Sequence, residues 1–71
     1  MNMIIKAKKL HTSFQASGHN DKAIMLELAE AYDEWANRNL DAEAYDANLG
    51  FIAEHGILAF FSAHSWDISI G

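Results

Sequence analysis

The stretch Met3-Ile4-Ile5-Lys6-Ala7-Lys8-Lys9-Leu10-His11-Thr12-Ser13-Phe14-Gln15-Ala16 decides how the chain is read. Met3, Ala7, Leu10 and Phe14 follow one another at steps of 4, 3 and 4. On a helix of about 3.6 residues per turn these steps return to one face. The spacing predicts a first helix from about Asn2 to Ala16, with Lys6, Lys9 and Ser13 off the apolar stripe. Ser17-Gly18-His19-Asn20 then reads as a turn.

The same period continues downstream. Ile24, Leu28, Ala31 and Trp35 repeat the 4, 3, 4 steps, and Met25 and Tyr32 widen that stripe. Asn20 suits an N-cap, Asp21 suits the first turn, and Arg38 suits the last, so a second helix ends near Arg38-Asn39. A third begins near Asn39 or Asp41 and carries Ala42, Tyr45, Leu49 and Ile52 on one face. Gly50 interrupts it, as a close helix contact or an early end, and Gly56 is the better stop signal. From Ile57 to His64 the polar face disappears, which suggests a short buried helix, with a buried strand as the alternative. Trp66-Asp67-Ile68-Ser69-Ile70 alternates like a strand, but as a lone extended tail it pairs only with a second copy across a dimer. The expected fold is therefore all-α: one compact domain, residues 1–71, of three to four helices with a short extended C-terminal tail.

Size adds a partner to that expectation. Chains of about 60 residues bury only about 60% of the surface they expose when unfolded. With 71 residues and no cysteine, disulfide staples are excluded, which leaves oligomerisation or unusually good packing. A homodimer is expected, with Leu28, Leu49, Ile52, Phe60, Phe61 and Trp66 filling the core or the dimer seam. A hydrophobic share of 51% excludes intrinsic disorder. Neither an export signal nor a membrane span is visible, so a cytoplasmic protein is expected.

Several chemistries lack their signatures. No two of His11, His19, His55 and His64 are three or four residues apart, so no helical face presents a histidine pair to a metal. Neither a Gly-x-Ser-x-Gly turn nor a Gly-rich phosphate loop occurs. A fold this small offers little room for a pocket of several hundred Å3, against the roughly 300–1,000 Å3 of ligand sites. The expectation is a non-enzyme without metal or cofactor.

Charge is the most informative feature. Lys6, Lys8 and Lys9 give the first nineteen residues +3 with no acid, while the remainder sets Lys22 and Arg38 against ten acids, hence -8. Glu27, Glu30, Asp33, Glu34, Asp41, Glu43 and Asp46 form an acidic band, with Tyr32 and Trp35 beside it as candidate hot-spot residues. These nine residues are the candidate partner-binding surface, suited to a protein with a basic patch. The pentapeptide Ala-Glu-Ala-Tyr-Asp occurs twice, at Ala29–Asp33 and Ala42–Asp46, an offset too short for solenoid repeats.

In size, acidity and lack of motif the chain resembles accessory proteins of bacteriophages and mobile elements. That resemblance is one of composition and implies a stoichiometric binder or inhibitor of a host protein. Two other readings are an acidic nucleic-acid mimic of anti-restriction or anti-CRISPR type, and a small DNA-binding regulator using the N-terminal lysines. A net charge of -5 opposes direct contact with nucleic acid.

Overall fold

A computed structural model describes residues 3–71 and places a β-hairpin where the spacing predicts the first helix. Strand β1 (Met3–Lys9) pairs antiparallel with β2 (Thr12–Gly18), with Lys9 opposite Thr12 and only Leu10-His11 between them. The predicted start at Asn2 lies outside the described residues. The reason for the error is arithmetic. A step of 4 is even, so Met3 and Ala7 share a strand face as readily as a helix face. Only the step of 3, from Ala7 to Leu10, distinguishes the two periods; it runs off the end of β1 into the turn, and the last step, to Phe14, crosses that turn. The period-2 signal is present: Ile5, Ala7 and Ala16 are buried, whereas Ile4, Lys6, Lys8, Ser13, Gln15 and Ser17 are exposed. Leu10, assigned to the apolar stripe, is 83% exposed at the hairpin tip and takes φ 55.

After Gly18 the chain turns into helix α1 (Asp21–Asn39). The approach is close, since a Cβ on Gly18 would stand 3.1 Å from Ile24 Cγ1. The Asn20 side chain caps the helix by accepting from Ala23 N at 2.9 Å. Ile24, Leu28, Tyr32 and Ala36 are its buried stripe, turned slightly from the predicted one so that Tyr32 rather than Trp35 faces the centre. Asp41 caps α2 (Ala42–His55), accepting from Ala44 N at 2.8 Å. Helix α2 runs through the exposed Gly50, which neither ends it nor approaches another element. Gly56 does end it, at φ 92, a conformation that strongly favours glycine, and α3 (Ile57–Ala63) follows at once.

Strand β3 (Asp67–Ile70) completes the structure. The alternating tail finds its partner in its own chain, pairing antiparallel with β1 so that Ala7 faces Ile68 and Lys8 faces Asp67. The sheet order is β2-β1-β3. The architecture is thus mixed α/β, and the all-α helical bundle is corrected: a three-stranded antiparallel sheet carries three helices.

Packing gives the layers their roles. Helix α1 lies against β2 and β1, and α3 against β3. Helix α2 touches only the other helices in force and buries none of its residues fully. The core joins Ile5, Ala7 and Ala16 of the sheet to Leu28 and Tyr32 of α1 and to Phe60 and Phe61 of α3. The opposite face of the sheet is open and holds Lys6, Lys8, Ser13, Gln15, Asp67 and Ser69 among its exposed residues. Among the described residues no helix is long and apolar enough to cross a membrane.

Candidate functional site

Helix α3 must end abruptly for β3 to return to the sheet. Ser65 adopts φ 64, and Trp66 N donates to Phe61 O at 2.9 Å, closing the helix end as a Schellman-type bond does. The indole of Trp66 then packs on Phe61, ring centroids 5.0 Å apart, and on Phe14 at 5.4 Å. Trp35 meets Trp66 edge-on at 6.2 Å. Trp35 and Trp66 of this cluster, together with Tyr32 and Phe60, line a half-open cleft of about 380 Å3 between the hairpin tip and the helices.

The cleft corrects the expectation that so small a fold offers little room for a pocket of several hundred Å3. It is not carved out of the core. It lies between elements that diverge, with Lys9, Leu10, His11 and Thr12 of the hairpin along one side. Tyr32, Trp35 and Leu40 come from α1 and its end, Asn48 from α2, and Phe60, His64 and Trp66 from α3 and beyond.

Its polar groups are anchored. Lys9 Nζ donates to the carbonyl of His64 at 2.7 Å, which fixes the ammonium where β1 ends and α3 ends. An ammonium has three donors, so two N–H groups of Lys9 are not used by that bond. His64 Nδ1 lies 2.9 Å from the Phe60 carbonyl, so it is the donating nitrogen, and its ring stacks on Phe60 with centroids 4.2 Å apart. Asn48 Nδ2 donates to the Tyr32 hydroxyl at 3.0 Å. Burial, partly offset by that bond, holds the Tyr32 phenol above the ordinary value of 10.0.

The two copies of the pentapeptide meet beside this cleft. Tyr45, in the second copy, donates its hydroxyl proton to Asp33 Oδ1, in the first, at 2.5 Å. That bond is the main reason the Tyr45 phenol titrates above 10.0, with desolvation and the charges of Asp33 and Asp46 adding to it. A phenol whose pKa is raised by folding stabilises the folded state below pH 10, and that contribution is lost as pH rises through the folded value. Tyr45→Phe is therefore expected to flatten the alkaline loss of stability. Urea unfolding at intervals from pH 8 to about pH 12 checks it, and an unchanged slope would show that the bond does not form.

The acidic band divides between tasks. Glu27, Glu30 and Glu34 are exposed on the side of α1 away from its buried stripe. Glu34 Oε1 is 3.3 Å from Arg38 Nη2. Asp33 holds Tyr45 and Asp41 caps α2, whereas Glu43 and Asp46 are exposed on α2. Tyr32 is only 2% exposed and belongs to the core, and Trp35 is half-buried at the cleft. Leu28, Phe60, Phe61 and Trp66 are buried, and Leu49 and Ile52 are half-buried on α2. The three N-terminal lysines do not lie on a helix: Lys6 and Lys8 stand on the open sheet face, and Lys9 at the cleft. Among the described residues no lysine forms an ion pair with a carboxylate.

His11 and His64 both line the cleft, while His19 precedes α1 and His55 ends α2. Among the described residues no three of the histidines and carboxylates gather as a metal site. This is a small α/β protein with one helical face, one open sheet face and an aromatic cleft at the hairpin end. No known protein family, no curated protein and no solved structure matches the chain.

Proposed function

We propose that the protein is a stoichiometric binder of another protein, docking through the outward faces of α1 and α2 onto a basic surface. The supporting observation is the separation of charge across the fold. Glu27, Glu30, Glu43 and Asp46 are exposed on the helices, while Lys6 and Lys8 project from the far face of the sheet. Leu26 is 61% exposed on α1, four residues before Glu30, and supplies an apolar contact within the acidic surface. Long-range attraction of this kind speeds encounter and selects partners, and salt screens it.

The test is paired capture from cells that express the protein, using wild type and the neutral quadruple variant E27Q/E30Q/E43Q/D46N. The expected result is a partner retained by wild type, lost by the variant, and bound at least about tenfold more weakly when salt rises from about 0.05 to 0.5 M. All four substituted positions are exposed, so the variant keeps its fold, which circular dichroism verifies. Equal capture by both proteins, or capture indifferent to salt, would overturn the reading.

A further inference from the structure

We propose that the aromatic cleft is a binding site for a small aromatic carboxylic acid, independent of the acidic docking face. The first argument is charge. The chain holds ten acids, yet none lines the cleft, whereas the ammonium of Lys9 does. In a protein of net charge -5, this is a local reversal of sign at a concave apolar surface.

The second argument is construction. The ammonium of Lys9 is tied to the end of α3 by its bond to the His64 carbonyl, so it does not have to be ordered when an anion arrives. It keeps donors for a carboxylate, and a hydrogen bond between two charged groups is about twice as strong as a neutral one. The third argument is shape and chemistry. The rings of Trp35, Phe60 and Trp66 offer flat apolar walls, and Asn48 is turned to the Tyr32 hydroxyl. A volume of about 380 Å3 suits one small ring compound better than a folded segment of another protein. The ring enters the cleft and the carboxylate stays at its mouth beside Lys9.

The chain carries its own reporters, because both of its tryptophans line the cleft. The probes are 3-phenylpropionate and its amide, which have nearly the same shape and differ in charge. Titration of each is followed by the indole N–H signals of Trp35 and Trp66 in nuclear magnetic resonance and by calorimetry. The expected result is movement of both indole signals and at least about tenfold tighter binding of the carboxylate, the effect of one charge-assisted hydrogen bond. Lys9→Gln removes that preference and leaves amide binding unchanged, whereas Lys22→Gln, away from the cleft, leaves both unchanged. Equal affinity for the two probes, or no indole movement at ten-millimolar probe, overturns the proposal. Indole signals that shift with protein concentration alone show instead that a second copy fills the cleft, which also overturns it.

Discussion

Phe61→Ala is expected to leave the protein largely unfolded at room temperature. Phe61 is fully buried and joins the layers, lying 6.2 Å from the Phe14 ring, 5.9 Å from Tyr32 and 5.0 Å from Trp66. Truncating a buried phenylalanine costs about 3–5 kcal/mol, through lost transfer energy and the cavity left behind. A single core in a chain below about 70–80 residues rarely supplies more than about 3–5 kcal/mol in total. The two quantities are of the same size, so the loss removes most of the stability. Loss of the cooperative thermal transition in far-ultraviolet circular dichroism is the measurement. A variant that still melts cooperatively within about 5 °C of wild type, a loss of about 1 kcal/mol or less, would show that Phe61 is not central to the core.

The next largest effect separates the two possible periods of the opening stretch. Ala7 is fully buried on the central strand, between Phe14 of β2 and Ile68 of β3. Lys6 is its neighbour and points to the open face, opposite Gln15 and Ser69. Ala7→Asp places an unpaired carboxylate in the apolar layer, which costs several kcal/mol even after relaxation, and should abolish folding. Lys6→Asp should change stability by no more than about 0.5 kcal/mol, as exposed substitutions usually do. Urea unfolding of both variants decides it. Comparable losses at positions 6 and 7 would contradict a strand with one buried face.

How far the fold was legible follows from where the two periods can be told apart. Helix α1 is long, and its buried stripe from Ile24 to Ala36 lies between a capping Asn20 and a last-turn Arg38. Over that length the helical period has no rival. Each strand of the hairpin has only seven residues, and in β1 three lysines and an alanine, which do not favour strand, offset the two isoleucines that do. Its turn is Leu10-His11, with positive φ on leucine, instead of the Asn-Gly or Asp-Gly pair that advertises a hairpin. The tail was readable as extended, but its partner was not, because Ile68 and Ala7 lie 61 residues apart and only tertiary packing joins them.

The acidic helices were legible as composition, since exposed charge needs no long-range contact. The cleft was not. Its lining comes from Lys9, Trp35, Asn48 and His64, which share no local pattern and meet only once β1 has a neighbour on each side. The apparent lysine helix misled for the same reason: Lys6 and Lys8 are two residues apart, which is one face of a strand and divergent faces of a helix.

Placing β3 beside β1 also governs how this chain reaches its native state. Ile4 and Gly71 exchange backbone bonds of 2.9 and 2.8 Å across that ladder. The hairpin and each helix close through local contacts, which form early, but the central strand keeps one open side until Asp67–Ile70 arrive. The search for that distant partner sets the rate. A protein with most of its residues in helices is thus expected to fold with the tempo of a sheet, since its central strand stays open on one side until Asp67–Ile70 are in place.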